Sequence, residues 1–134
     1  MSLTPLLNAA PEVQLHAFAA MAAFVLGVVQ LSAPKGTLPH RTLGWIWVLL
    51  LLTISASSFL IHGHSYRLWR TWSPIHILSV FTPLMLIVGV LAARTHRVRT
   101  HKITMISIFT GALILAGVFT LVPGRIMHTV MFGQ

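Results

Sequence analysis

The sequence contains no cysteine and only one acidic residue, Glu12, among its 134 residues. The absence of cysteine excludes disulfides, thiolate metal sites, iron–sulfur clusters and covalently attached c-type haem. Charged residues make up 7% of the chain, whereas an ordinary soluble domain has about 25%. With 56% hydrophobic residues and a mean hydropathy of +0.87, most of this single domain is expected to lie in lipid.

Four uncharged apolar runs predict four transmembrane helices. Each run has 20 or 21 residues, which at about 1.5 Å per residue gives roughly 30 Å, the thickness of a bilayer core. None shows the polar stripe of a helix in a soluble bundle. The predicted fold is an all-α integral membrane four-helix bundle that forms one domain over residues 1–134. The predicted spans are Val13–Ala33, Thr42–Ile61, Ser73–Ala93 and Ile103–Val122.

Proline residues punctuate these runs. Pro11 and Pro74 are expected in the first turns of the first and third helices, where a missing N–H is tolerated. Pro83 lies inside the third run and is expected to kink that helix. Three further prolines are expected to mark helix ends: Pro34, Pro39 and Pro123.

The basic residues predict the orientation of the bundle. The net charge is +8, and the basic residues fall in short gaps between apolar runs, as at a membrane surface rather than on a nucleic-acid-binding face. The positive-inside rule places the first and third loops in the cytoplasm and both termini outside. Six basic residues in those loops (Lys35, Arg41, Arg94, Arg97, Arg99 and Lys102) stand against three elsewhere (Arg67, Arg70 and Arg125).

The two halves of the chain resemble one another. His40 follows His16 by 24 residues, and His101 follows His76 by 25 residues. A glycine lies 23 residues beyond each second histidine. These spacings predict two repeated helical hairpins related by an axis along the membrane normal. Coincidence is the alternative, because any two hairpins that cross the same bilayer have similar lengths. The two glycines are Gly63 and Gly124.

Histidine is unusually frequent, with eight residues against nine Lys and Arg. A histidine inside a span costs free energy unless it is paired, hydrated or ligating. His16 and His76 lie at the same depth near the outer edge, whereas His40 and His101 lie at the cytoplasmic edge. Two neutral imidazoles from facing helices can hold haem b without covalent attachment. Both pairs are therefore candidate axial ligands, and the outer pair, further inside the apolar zone, is the stronger one.

A flat macrocycle also needs room beside its helices. Residues four, seven and eleven positions after His16 share its helix face and are all small. The face of His40 also carries a glycine. These faces favour a cofactor site, and the alternative is close helix packing through small residues. The small residues concerned are Ala20, Ala23, Gly27 and Gly44.

The histidines have structural interpretations as well. His16 and His76 are equally suited to a polar contact between helices. His40 and His101 each precede a basic residue at the level of the lipid phosphates, so contact with phosphate is the alternative there.

A second chemical hypothesis is a copper or zinc site at the outer face, because imidazole nitrogens suit both metals. Glu12, one helical turn before His16, is a further ligand or an acceptor that orients the His16 ring. No other acid is available to orient a histidine base, so an enzyme is less expected than an electron carrier or accessory subunit. The candidate metal ligands are His16, His76, His62 and His64.

Two short motifs point to a known family. The segment His40-Arg41-Thr42-Leu43-Gly44-Trp45 resembles the His-Arg-x-x-Gly signature of a family of small bacterial predicted membrane proteins, known only as a domain of unknown function. The segment His101-Lys102-Ile103-Thr104-Met105 resembles its His-Arg-x-x-Met counterpart, with Lys in place of Arg. The resemblance extends from about His16 to Gly133 and implies topology rather than chemistry. The overall plan is also similar to that of four-helix b-type membrane cytochromes.

The leading functional hypothesis is a haem b-binding electron-transfer module or redox subunit in the cytoplasmic membrane of a bacterium. The expected partners are the lipid bilayer and, for electron exchange, a quinone or other membrane subunits; an oligomer is compatible with the sequence. Two alternatives stay open: a non-redox accessory or structural subunit of a membrane complex, and the copper or zinc protein.

Overall fold

The computed structural model of the protein describes residues 1–61 and 74–133, and all regular secondary structure in these residues is helical. His62, Gly63 and His64 lie outside the described residues. The helices are α1 (Thr4–Leu7), α2 (Pro11–Ser32), α3 (Leu38–Leu60), α4 (Pro74–Arg94), α5 (Val98–Ile108), a π-helix (Phe109–Leu115), α6 (Ala116–Thr120) and α7 (Ile126–Phe132).

Four helices are long and apolar enough to cross a membrane, which confirms the four predicted spans. The fourth is built from α5, the π-helix and α6. The predicted start of the third span at Ser73 lies outside the described residues. The main difference is that α3 and α5 begin before the apolar runs, so that both histidine–basic pairs lie inside helices. The spans are Pro11–Ser32, Leu38–Leu60, His76–Arg94 and Val98–Thr120.

Several of the prolines lie in the first turns of helices. Pro11 opens α2, as expected. Pro39 was expected to mark an end, but it lies in the first turn of α3. The helix can begin there because a first turn needs no proline N–H. The Thr37 hydroxyl also caps it by accepting a bond from the His40 backbone N–H at 3.3 Å. Pro83 lies inside α4.

The four spans pack in chain order around one core. Helix α3 packs against α2 and α4, α4 packs against α5, and the π-helix contacts α2, which closes the ring. Large apolar side chains point outward along every span. This is favourable because the solvent around a transmembrane helix is lipid. Helix α6 contacts chiefly the π-helix and α7. The buried core cluster comprises Ala23, Trp47, Leu51, Leu86, Ile108, Phe109 and Leu113.

Both chain ends lie at one end of the bundle, here called the outer end. Helices α1 and α7 pack together there, and the Ser2 N–H donates to the Val130 carbonyl at 3.0 Å. The opposite, inner end carries the turns between α2 and α3 and between α4 and α5. This arrangement agrees with an even number of spans.

The inner turns are closed by different residues. In the first, the Lys35 ammonium donates to the carbonyls of Leu31 at 2.8 Å and Ala33 at 2.9 Å, and Gly36 has φ +76°. In the second, His96 has φ +58°, and the Arg97 N–H donates to the Ala92 carbonyl at 2.8 Å.

Candidate functional site

The His16 ring lies between α2 and α3 near the outer end. Its Nδ1 is 3.0 Å from the hydroxyl oxygen of Ser57, and that hydroxyl donates to the Ile54 carbonyl at 3.0 Å. When the Ser57 hydroxyl donates to Ile54, the His16 tautomer that completes this chain of bonds carries its proton on Nδ1 and donates to Ser57. This tautomer leaves the lone pair of Nε2 for a ligand, as in histidines whose second nitrogen is oriented by an acceptor.

The His76 ring lies on the other flank of α3, in ring contact with Phe59 at 5.7 Å between centroids. One turn further along α4, the Ser79 hydroxyl is hydrogen-bonded to that of Ser58. Ser57 and Ser58 are consecutive, so α3 presents one serine to α2 and the next to α4. The structure thus places His16 and His76 on two helices that flank α3 at the same end of the bundle.

The buried residues at this level of α2, α3 and α4 are small. Together with the His16 and His76 rings beside them, they form what we call the outer polar layer, in which the buried side chains are hydroxyls or methyl groups. Farther inward, the core cluster is aromatic and aliphatic, although Thr82 and Thr104 are also buried there. The outer polar layer is therefore the part of α2, α3 and α4 in which buried hydroxyl groups are concentrated around a histidine. Its buried members are Ala19, Ser55, Ser57, Ser58 and Ser79.

Aromatic rings of the chain itself fill much of the predicted small-residue face on α2. Ala23 is fully buried, and its carbonyl accepts a bond from Trp47 Nε1 at 2.9 Å. A Cβ added at Gly27 would lie 2.6 Å from the Phe109 ring and 3.1 Å from Trp47 Nε1. Close packing through small residues therefore accounts for Ala23 and Gly27. Ala20, one turn nearer to His16, is only half-buried.

The inner histidines occupy a second polar layer. His101 Nδ1 donates to the Gly89 carbonyl on α4 at 2.9 Å. The His40 carbonyl accepts a bond from Gln30 Nε2 at 2.9 Å, and a Cβ at Gly44 would lie 3.2 Å from that same nitrogen. His40 Nδ1 and Gln30 Oε1 are buried and have no partner within the described part of the chain. His40 and His101 therefore lie in the same polar layer near the inner end, His40 beside the Gln30 amide and His101 bonded to α4.

The described residues contain no group of three or more His, Cys, Asp or Glu side chains that could hold a metal ion. Of the four candidate metal ligands, His16 and His76 belong to the outer polar layer. His62 and His64 lie outside the described residues.

The sequence patterns did not single out Ser57 or Gln30. Both are polar residues inside apolar runs, which is a signal that a search for buried hydrogen-bond partners could use. Ser57 does not lie on the helix face that His40 defines on α3, and it partners His16 of the neighbouring helix. Gln30 continues the small-residue face of His16 on α2, but its partner is the His40 carbonyl on α3.

A family model described as "Predicted membrane protein (DUF2306)" matches residues 13–132. The chain belongs to this family. The match covers all four spans and confirms the family membership that the sequence resemblance indicated. The description of DUF2306 states a membrane location and no activity. No curated protein and no solved structure matches the chain.

Proposed function

We propose that this DUF2306 member is a haem b-binding electron-transfer module, with His16 and His76 as the axial ligands. The observation that supports the proposal is the His16–Ser57 contact, which orients the ring through Nδ1. In the Nδ1-protonated tautomer, Nε2 would be the nitrogen that binds iron. A side chain held in this way is preorganised, so binding iron costs it little conformational entropy.

The donor set favours haem over a bare metal ion. A porphyrin brings four nitrogen ligands of its own and asks the protein for only two. The outer polar layer supplies one histidine from each of two helices that flank α3. A tetrahedral zinc site would need three or four protein ligands, and no group of three is present in the described ranges.

The packing limits where such a haem would lie. Because Trp47 and Phe109 fill the space beside Gly27, the macrocycle would lie on the outer side of these rings, next to Ala20. The inner pair supports a second haem less well, since Gln30 occupies the space beside Gly44. The proposed location is the cytoplasmic membrane of a bacterium, and the proposed partners are a quinone or other membrane subunits.

The test is optical spectroscopy of the protein purified in mild detergent from haem-replete cells. We expect the Soret and reduced α bands of a low-spin, six-coordinate haem b. His16→Ala and His76→Ala should each abolish or shift these bands. Ser57→Ala should keep the haem but shift its reduction potential and weaken its binding by roughly 10–100-fold, because the acceptor for Nδ1–H is lost.

The matched control is His128→Ala. His128 also lies at the outer end, but it belongs to α7, where its ring contacts Phe132. This variant should keep the full haem spectrum. A colourless wild-type preparation, or equal loss of haem in the His128 variant, would refute the proposal.

The packing of the small-residue face favours a second candidate, a non-redox accessory subunit of a membrane complex. In that role the Trp47–Ala23 bond and the Phe109–Gly27 contact stabilise a rigid bundle, and the histidines make contacts between helices. A colourless protein that co-purifies with other membrane subunits in stoichiometric amount would support this candidate.

A further inference from the structure

A groove opens on the side of the bundle near its inner end, between the last turns of α4 and the first turn of α5. Its volume is about 330 Å³. The walls are mainly apolar, and the polar groups lie at the end nearest the turn. Val88 and Leu91 are 45% and 55% exposed, so the groove faces the hydrocarbon of the bilayer. The lining residues are Val88, Leu91, Ala92, Thr95, Arg97 and Thr100.

The polar end of the groove has an excess of positive charge. Arg97 lines it, and Arg99 and Lys102 follow in the first turns of α5. The single acid of the chain, Glu12, lies in the first turn of α2, at the opposite end of the bundle. No carboxylate among the described residues is therefore placed to pair with Arg97. An anion from outside the chain would complement this end of the groove.

The start of α5 also favours binding of an anion. Its N-cap residue, Arg97, makes no side-chain cap bond, and its first turn contains no acidic residue. The basic side chains therefore lie at the positive end of the helix dipole, where they are unfavourable and an anion is favourable.

We propose that this groove binds one anionic phospholipid of the adjoining leaflet. An acyl chain lies along Val88 and Leu91, and the phosphate contacts the Arg97 guanidinium and the Thr100 hydroxyl. A lipid fits better than a soluble anion, because a lipid brings an acyl chain for the apolar walls as well as a phosphate for the charged end. The proposal does not depend on haem binding.

The experiment uses the full chain and counts retained lipid by native mass spectrometry. Protein is exchanged into mixed micelles that contain dioleoyl phosphatidylglycerol or dioleoyl phosphatidylcholine. We expect one phosphatidylglycerol to be retained in preference to phosphatidylcholine. Arg97→Gln should weaken this retention by about fivefold, which is the effect of one basic residue at an anionic membrane surface.

Two further variants separate a specific groove from general attraction. Arg41→Gln removes the same charge from the first turn of α3, outside the groove, and should leave retention unchanged. Leu91→Trp keeps the charge but fills the groove, and should reduce retention as much as Arg97→Gln does. Equal losses in the two arginine variants, or full retention by the Leu91 variant, would overturn the proposal. Competition by millimolar inorganic phosphate would do so too, because it would show a simple anion site.

Discussion

The two inner turns of this protein perform the same task by different means. In the turn between α2 and α3, Lys35 satisfies carbonyls at the end of one helix and Thr37 caps the start of the next. In the turn between α4 and α5, His96 adopts the left-handed conformation and α5 begins without a side-chain cap. The first turn uses its own side chains to bond the backbone groups at both helix ends, whereas the second leaves the first turn of α5 without a side-chain cap or an acidic residue. The two turns therefore differ in how the start of the following helix is stabilised.

The two hairpins also differ in what packs against a glycine of their first helix. Gly27 on α2 touches the rings of Phe109 and Trp47, which are rigid and buried. A Cβ added at Gly89 on α4 would overlap the terminal methyl of Met105, which can move, and would lie 3.3 Å from Cγ2 of the buried Thr104. The Gly27 contact therefore tolerates no additional atom, whereas the Gly89 contact can adjust on its Met105 side.

The largest expected effect is the difference between these glycines. Gly27→Ala should destabilise the protein by ~1–3 kcal/mol, because the new methyl group overlaps the Phe109 ring. Gly89→Ala should destabilise the protein less, since Met105 can move and alanine favours the helix, which leaves only the tight contact with Thr104. Unfolding by titration with sodium dodecyl sulfate, followed by circular dichroism, measures both. Equal destabilisation would remove the contrast between the hairpins.

A smaller effect is expected at the capped turn. Thr37→Ala should cost ~0.5–2 kcal/mol, because the His40 N–H loses its acceptor at the start of α3. Thr42→Ala is the control: it makes the same chemical change at an exposed position inside α3 and should shift stability little. The same titration applies, and a Thr37 variant as stable as its control would show that the cap contributes nothing.

The smallest effect should have the opposite sign. His96→Gly is expected to stabilise the protein by ~0.5–1 kcal/mol, because glycine adopts φ +58° without the strain that a Cβ causes. Gly36→Ala, at φ +76° in the other turn, should destabilise it by a similar amount. Thermal unfolding followed by circular dichroism compares the pair. A destabilised His96 variant would show that this imidazole makes a contact that outweighs the strain.

Composition was enough to predict the four spans, because lipid as a solvent demands about 20 apolar residues for each crossing. The inner ends of α3 and α5 were misplaced, since counting apolar residues stops at His40-Arg41 and His101-Lys102 although the helices continue through them. Partners such as Ser57 for His16 depend on how neighbouring helices are rotated, which spacing along one helix does not contain. Phe109 fills the Gly27 face from a distant part of the chain, and no local pattern indicates that contact.

The π-helix at Phe109–Leu115 has a consequence for how this fold can vary in length. In a π-helix each backbone N–H bonds five residues back rather than four, so this stretch holds one residue more than an α-helix with the same total rotation. Removing one residue from it would restore ordinary α-helical winding and leave α6 close to its present orientation relative to α5. Removing one residue from α5 would instead rotate everything that follows by roughly 100°. The π-helix is therefore the point at which the fourth span can lose a residue without re-aiming its outer end.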